Sequence, residues 1–191
     1  MALKNIMPKM TSNNSPAPYV VSCTDSAGDA TGIVGPLFKA FDRDIITYLR
    51  TPIDTYSKLP CVLKIDLGEE NKQAVVAYQL INNIYPQWSM NTWTFEGSND
   101  NSNWTVLHTV TNKTTWKLGI EYLYQFENEI PYRYYRFKCT EVNGNNSIVI
   151  SEAKLFIQTT VASEKIKTNV INAIKNHELT QKHLISILME E

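Results

Sequence analysis

The sequence lacks an excess of charge of either sign and any long hydrophobic run. Its 191 residues include 18 lysines and arginines against 19 aspartates and glutamates, which gives a formal net charge of −1. With neither a basic excess nor a Lys/Arg cluster, nucleic-acid binding is not indicated. No apolar stretch approaches the roughly 20 residues that span a bilayer, so no membrane span is predicted. Residues 1–10 have no sustained apolar core, which predicts a protein made in the cytoplasm without a signal peptide.

Cysteine is scarce. Cys23, Cys61 and Cys139 are far apart, odd in number and without the spacing of metal ligands. Cys61 and Cys139 lie in β-like runs, where a buried free thiol behaves as a small hydrophobic side chain. We expect all three to be reduced and structural, which agrees with synthesis in a cytoplasm.

The motifs of common enzymes are also missing. There is no Gly-x-Ser-x-Gly, no glycine-rich phosphate loop and no His-Glu-x-x-His. His108 lies in a strand-like run, and the adjacent pair Glu69 and Glu70 is typical of a solvated turn rather than of an acid/base pair. We therefore expect a protein without catalytic activity.

The most informative stretch that is present covers residues 91–107. Trp93 and Phe95 alternate in a first run, Trp104 and Val106 alternate in a second, and the residues between them are almost all turn-forming. Two alternating runs around a polar turn predict a β-hairpin. Because both tryptophans lie on strand parities, we expect both in the core.

About eight short strands are predicted, with turn signals between them and no intervening helical pattern. This pattern is typical of an all-β sandwich or jelly roll. The apolar fraction of 43% is ordinary for a globular domain. Besides the two hairpin strands, the candidates are residues 19–23, 61–67, 74–81, 121–126, 132–139 and 148–157.

The chain is predicted to have three parts. Residues 1–17 are polar and interrupted by proline, which is typical of an extended N-terminal arm. Residues 18–158 contain the strands of the sandwich. Residues 159–191 change to a helical period and predict a short α-helical C-terminal appendage.

The predicted appendage carries an apolar stripe. Ile166, Val170, Ile174 and Leu184 lie at helical spacing within residues 161–191. Such a stripe has to be buried. Packing against the chain's own sandwich and docking to a protein partner both remain open.

An acidic loop follows the phenylalanine-rich segment around residue 41. Asp42, Asp44 and Thr47 place two alternating carboxylates and a hydroxyl in a short span, which can present hard oxygens to Ca²⁺. Two acids are few for a site of 6–8 oxygens. The alternative is a polar turn in which Asp42 bonds the local backbone.

The segment 85–88 places two large aromatic residues, Tyr85 and Trp88, in a predicted loop. Sugars are bound by stacking an apolar ring face on an aromatic side chain, while polar groups fix the hydroxyls. The alternative is that these rings cover one end of the core. Trp116 admits the same two interpretations.

The hairpin sequence resembles the central hairpin of discoidin-like, coagulation-factor type C domains, which include the family 32 carbohydrate-binding modules. The resemblance extends from about Met10 to Ile157. It implies a galactose-binding-like, discoidin-like jelly-roll β-sandwich of two antiparallel sheets with binding loops at one end. Besides residues 93–107, it depends on residues 39–42, 63–68, 76–80, 132–137 and 150–155.

Many carbohydrate-binding relatives hold a structural Ca²⁺, and the resemblance implies the positions of its ligands here. Arg43 departs from the family, which usually has glycine there, and Leu49 stands where tryptophan is usual. A residue other than glycine accepts a positive φ less easily. The implied ligands are Asp42, Asp44, Thr47 and Glu152, with a backbone oxygen of Lys39 or Ala40.

Ligand residues in this family lie on variable loops, so the resemblance transfers no fixed sugar-binding motif. The candidates therefore come from this sequence alone. They are Tyr85, Trp88, Arg50, Trp116, Asn143 and Asn145.

The predicted function is non-catalytic recognition of a cell-surface or extracellular glycan. The wording of residues 6–13 also looks like the start of such domains in phage and prophage structural proteins, which predicts display on a virion or another larger assembly. The alternative is a purely structural capsid or tail decoration protein without a sugar ligand.

Overall fold

The computed structural model describes residues 2–24, 36–50, 59–82, 85–144 and 148–159. These residues fall into two compact units, one of residues 5–157 and one whose described parts are residues 2–4 and 158–159. The helical appendage predicted for residues 159–191 lies, from residue 160 onward, outside the described residues. No described helix is long and apolar enough to cross a membrane.

In the described ranges the chain forms antiparallel strands joined by loops and three short 3-10 helices. The helices are Leu37–Ala40, Glu69–Asn71 and Pro86–Trp88. The strands are β1 Ala2–Asn5, β2 Val20–Thr24, β3 Leu49–Arg50, β4 Cys61–Asp66, β5 Val75–Ile81, β6 Met90–Ser98, β7 Thr105–Val110, β8 Glu121–Gln125, β9 Tyr134–Val142, β10 Val149–Ile150 and β11 Glu152–Thr159.

The strands build three sheets. A five-stranded sheet has the order β2-β4-β9-β6-β7, a four-stranded sheet has the order β1-β11-β5-β8, and β3 pairs with β10. The strand pairs that build them are antiparallel, as β4–β9, β6–β9, β5–β8 and β5–β11 illustrate. This confirms the predicted all-β antiparallel architecture. The described part has more strands than the eight predicted, since β1, β3 and β10 are too short to show alternation.

Alternating side chains of the five-stranded sheet form one side of the core. In β4, Cys61, Leu63 and Ile65 are buried and the residues between them are not. A strand with one covered face has this period of two. Their outward neighbours, such as Lys64, are free to form a polar outer surface.

Tyr78 on β5 connects the two larger sheets inside the core. Trp93 Nε1 donates a hydrogen bond to the Tyr78 hydroxyl at 2.9 Å, and Tyr78 Oη lies 2.9 Å from His108 Nδ1. The Tyr78 hydroxyl therefore accepts from Trp93 and is hydrogen-bonded at the same time to the His108 ring. Burial raises the pKa of Tyr78 well above its usual value. The relay satisfies polar groups that would otherwise be costly to bury.

The predicted hairpin is present as β6 and β7. Its turn is held by Asp100, whose Oδ1 accepts the backbone N–H of Ser102 at 2.9 Å and of Asn103 at 2.7 Å. The Asn103 side-chain amide, which donates to Asp100 Oδ2 at 2.7 Å, lowers the pKa of the Asp100 carboxyl most, and the two backbone bonds lower it further. A larger residue does not fit at position 97, because a Cβ there would lie 2.5 Å from the Tyr132 ring.

Two details of the hairpin and the N-terminal segment differ from the sequence interpretation. Trp104 precedes β7 and is half-buried on the outer side of the sheet, so the core position expected for it is wrong. Parity fails here because the β6–β7 register shifts between Phe95 and Glu96, so Val106 pairs with Glu96 while His108 pairs with the core residue Phe95. Val106, which shares the parity of Trp104, is accordingly exposed. Met7 and Met10, in the segment interpreted as an arm, are both buried core residues. They were not predicted as core residues because the residues around them in the sequence are mostly polar.

Candidate functional site

The acidic loop runs from the 3-10 helix Leu37–Ala40 to β3. Arg43 adopts φ +60°, the left-handed conformation that glycine usually supplies. Arginine therefore adopts the positive φ at the position where the resemblance implied glycine. This turn directs the Arg43 N–H to Glu152 Oε2, 3.1 Å away at the start of β11.

Asp42 is the centre of this loop. Its Oδ1 accepts the N–H of Asp44 at 3.0 Å, and its Oδ2 accepts the Thr47 hydroxyl at 2.7 Å. The Lys39 ammonium pairs with the same Oδ2 at 3.1 Å. Two of the predicted ligand side chains, Asp42 and Thr47, are thus in contact. The structure also places Lys39 there as a side-chain cation, in addition to the backbone carbonyl considered from the sequence.

Asp44 forms its hydrogen bonds within its own turn. Its Oδ1 accepts the N–H of Ile46 at 3.0 Å, its carbonyl accepts the Thr47 hydroxyl at 3.0 Å, and the residue is exposed. In this arrangement its carboxylate closes the turn. The local-backbone bond considered for Asp42 from the sequence is therefore formed by both residues, by Asp42 to the Asp44 N–H and by Asp44 to the Ile46 N–H.

Glu152 is buried beside the loop. Burial raises its pKa to about 7, the N–H of Arg43 opposes that rise, and the charge of Asp42 adds to it. In the described ranges no three histidines, cysteines, aspartates or glutamates come together as a metal cluster. The oxygen set here is two carboxylates, Asp42 and Glu152, with the Thr47 hydroxyl. Such hard oxygens, one of them on a poorly solvated acid, fit Ca²⁺ in chemical type.

Tyr48, Arg50, Tyr85 and Trp88 come together and are called here the aromatic–arginine cluster. The Tyr85 and Trp88 rings lie 3.9 Å apart between centroids, and Arg50 Cζ lies 4.2 Å from the centroid of Trp88. Tyr48 meets Tyr85 edge-on at 6.4 Å. All four side chains are half-buried. Three of the six predicted sugar-binding residues, Arg50, Tyr85 and Trp88, are therefore neighbours.

The buried side chain of Asn82 holds the loop in this shape. Its Nδ2 donates to the Tyr85 carbonyl at 3.0 Å and to Ser89 Oγ at 2.5 Å, and its Oδ1 accepts the Tyr85 N–H at 3.3 Å. Asn82 is only 2% exposed. Neither Asn82 nor Tyr48 is among the residues predicted from the sequence. An asparagine directly after β5 was the available signal for the first.

Two donors in the cluster have no partner among the described residues. Arg50 Nε and Trp88 Nε1 are buried and have no hydrogen-bond acceptor among the described residues. Leaving a buried donor unpaired costs roughly 1–3 kcal/mol, so natural structures contain few of them. The aromatic–arginine cluster is therefore not satisfied by its own described neighbours. The guanidinium and the indole are both groups that bind oxygen acceptors.

Trp116 is a core residue and not a surface ring. It is 8% exposed, its Nε1 donates to the Met90 carbonyl at 2.9 Å, and its ring packs on Trp93 and Tyr122. The prediction of a ligand-binding role is wrong for this residue, because no free ring face remains. The sequence left both interpretations open, and the covering role is the one observed.

Asn143 braces the neighbouring loops. Its Nδ2 donates to the Lys113 carbonyl at 2.8 Å, its Oδ1 accepts from Asn91 Nδ2 at 2.8 Å, and its N–H donates to the Ser89 carbonyl at 3.1 Å. With its amide engaged in this way, the side chain serves the scaffold. Asn145, the sixth predicted residue, lies outside the described residues.

The fold is similar to those of solved carbohydrate-binding modules. The family 32 module of NanJ from C. perfringens, in complex with galactose, has 16% identity and a TM-score of 0.61, over 82% of this chain and 100% of that chain. CpGH89CBM32-5 from Clostridium perfringens, in complex with GalNAc-beta-1,3-galactose, has 15% identity and a TM-score of 0.59, over 73% and 95%.

A type C domain gives the same result. The F5/8 type C domain of a Bacteroides fragilis protein has 13% identity and a TM-score of 0.58, over 75% of this chain and 93% of that chain. No family model matches the sequence, and no curated protein matches it. At these identities the likeness shows the fold, and it confirms the predicted discoidin-like type of β-sandwich.

Proposed function

We propose that this chain is a non-catalytic glycan-recognition domain and that the aromatic–arginine cluster is its binding site. The observation that carries the proposal is the half-buried Tyr85–Trp88 pair, backed by Arg50, with two donors that find no acceptor within the described part of the chain. An aromatic face takes the apolar side of a sugar ring, and N–H donors take its hydroxyl and ring oxygens.

The likeness in fold supports this choice of ligand class. Two of the similar structures were solved with galactose and with GalNAc-beta-1,3-galactose. Galactose-configured sugars on cell-surface or extracellular polysaccharide are therefore the first ligands to test.

A structural Ca²⁺ forms a second part of the proposal. The carboxylates of Asp42 and Glu152 and the hydroxyl of Thr47 would hold it, and the ion would take the place of the Lys39 ammonium. Bound there, it would stabilise the folded state, and the stabilisation would grow with the logarithm of the Ca²⁺ concentration once that exceeds the dissociation constant.

Melting temperatures test the ion. In saturating CaCl₂ the wild type should melt higher than in EDTA, and Asp42→Asn should lose the difference. Glu129→Gln, which removes an exposed carboxylate, is the matched control. Equal melting temperatures of the wild type in both buffers would rule the ion out.

Display on a virion or another surface assembly is the third part. The resemblance of residues 6–13 to phage structural proteins supports it, as does the apolar stripe predicted within residues 161–191, which would dock a protein partner. The chain would be made in the cytoplasm and presented in many copies, so that multivalency offsets weak binding at each site. Immunogold labelling of purified particles tests this, and unlabelled particles would contradict it.

Trp88→Ala tests the sugar site. Glycan arrays find the ligand, and calorimetry should then show at least about tenfold weaker binding by Trp88→Ala, since stacking and one donor are lost. Leu123→Ala is the matched control, because it removes an exposed apolar side chain from β8. Circular dichroism should show both variants folded.

The alternative function is a capsid or tail decoration protein without a sugar ligand. It predicts that wild-type protein binds no glycan on the array and no cell surface, and that Trp88→Ala assembles normally. Binding that survives in Trp88→Ala would instead leave glycan recognition intact and move it away from the aromatic–arginine cluster.

A further inference from the structure

We propose a second saccharide site, for a sugar unit that carries a carboxylate, on the outer face of the five-stranded sheet. This sheet-face groove shares no residue with the aromatic–arginine cluster, so either site can fail without the other. It goes beyond the proposed function in both location and ligand charge. Its polar and aromatic lining consists of Ser22, Thr24, Lys64, Asn101, Trp104 and Arg136.

Strand register brings the floor of the groove together. Ser22 on β2 faces Lys64 on β4, Lys64 faces Arg136 on β9, and Arg136 faces Glu96 on β6. Directly opposed residues in antiparallel strands share one face of a sheet. The four side chains therefore form one row across the sheet. Trp104, from the turn before β7, joins this row at Arg136.

A buried ion pair fixes the orientation of Arg136. Its Nε and Nη2 donate to Glu96 Oε2 at 2.6 and 2.5 Å, and the Thr94 hydroxyl donates to Glu96 Oε1 at 2.6 Å. Glu96 is only 4% exposed. Arg136 Cζ lies 4.0 Å from the centroid of the Trp104 ring, within the range of a cation–π contact. The indole is thus held in place before any ligand arrives.

The charge of the groove favours an anion. Glu96 neutralises Arg136, whereas Lys64 Nζ donates at 3.0 Å to the uncharged Asn101 Oδ1 and forms no ion pair with a described residue. One positive charge is left at the groove. A carboxylate is the ligand group that gains most from it, because charge-assisted hydrogen bonds are the stronger class.

The size of the groove favours a single sugar unit. Its volume is about 190 Å³, below the ~300–1,000 Å³ typical of pockets for drug-sized ligands. A pyranose ring would lie against Trp104, its carboxylate would meet Lys64, and its hydroxyls would meet Ser22, Thr24 or Asn101. Together these contacts describe a uronic acid within a polysaccharide.

The test uses the full chain, with galacturonic acid as the probe and galactose as its neutral counterpart. In ¹H–¹⁵N spectra, the Trp104 indole signal, assigned with Trp104→Phe, should shift saturably with galacturonic acid and not with galactose. Lys64→Met should weaken this response about tenfold, because it removes the charge and keeps an apolar stem. Lys117→Met is the matched control, since Lys117 is exposed and outside the groove.

Each outcome is decisive. A galacturonate-dependent shift of Trp104 that is lost in Lys64→Met and kept in Lys117→Met supports the site. No shift at Trp104, or an equal shift with galactose, overturns it. Shifts confined to Trp88 also overturn it, while leaving the proposed function standing. Conversely, a Trp104 response in Trp88→Ala would show that the sheet-face groove binds without the loop site.

Discussion

The two tryptophan–arginine pairs of this chain have nearly the same spacing and different surroundings. Arg50 lies 4.2 Å from the ring centroid of Trp88, and Arg136 lies 4.0 Å from that of Trp104. Arg136 is also bonded through two nitrogens to the buried carboxylate of Glu96. Arg50 forms no ion pair with a described residue, and its Nε is buried without an acceptor.

The difference teaches that the contact between the ring and the guanidinium does not decide what such a pair does. A carboxylate behind the arginine makes the pair part of the scaffold, and any ligand then depends on neighbours such as Lys64. Without that carboxylate, the pair keeps unmet hydrogen-bonding capacity, which a ligand can fill. The same two residue types therefore form a pair whose arginine is already neutralised in one place and a pair whose arginine has no ion-pair partner among the described residues in the other.

Replacing each arginine in turn should show the largest difference between the two tryptophan–arginine pairs. Arg136→Met leaves the buried Glu96 carboxylate without its cationic partner, which is expected to cost about 3 kcal/mol of unfolding free energy. Arg50→Met leaves no described carboxylate without an ion-pair partner, so the change in unfolding free energy should stay within about 0.5 kcal/mol. Urea unfolding of both variants measures this. Equal losses would show that the stacking contact, and not the ion pair, sets the stability of each pair.

Local chemistry allowed most of the fold to be predicted from the sequence. Strand parity placed Trp93 and Phe95 in the core, and the turn residues around Asp100 marked the hairpin. The likeness in fold confirms the discoidin-like sandwich. Arg43 was the visible departure, and the structure shows that arginine adopts the positive φ in that turn.

The residues that could not be assigned depend on contacts between distant segments. Trp104 looked like a core residue until Arg136, 32 positions later, was placed beneath it. Trp116 looked like a loop residue although Trp93 and Met90 cover it. Composition and hydrophobic periodicity describe the strand or loop in which a residue lies. They do not show which distant segment packs against that residue.

Changing the arginine side chain while keeping its charge should have the next largest effect. Lysine lacks the planar guanidinium that stacks on an indole. If the aromatic–arginine cluster binds a neutral sugar, Arg50→Lys should weaken that binding about tenfold, or 1.4 kcal/mol. Arg136→Lys should leave it unchanged. Calorimetry with the array-selected sugar measures both, and an effect of Arg136→Lys as large as that of Arg50→Lys would contradict two separate sites.

The smallest expected effect concerns the core relay from Trp93 through Tyr78 to His108. This tryptophan contact contains no arginine and is compared with the two tryptophan–arginine pairs. Burial lowers the pKa of His108 below its usual 6.5. The neutral ring therefore contributes stability that is fully present above pH 6.5 and is lost as the pH falls through the lowered pKa. Protonation would also place a second donor opposite the Tyr78 hydroxyl.

His108→Gln keeps an acceptor for Tyr78 and removes the titrating ring. Between pH 7 and pH 5 the wild type should lose slightly more unfolding free energy than this variant, and urea unfolding at both pH values measures the difference. Because Glu152 titrates in both proteins, its contribution cancels in the comparison. If the variant loses as much as the wild type, the relay does not depend on a neutral histidine. The Trp93–Tyr78 hydrogen bond would then be independent of the charge of His108, unlike the two arginine pairs, whose neighbours determine what they do.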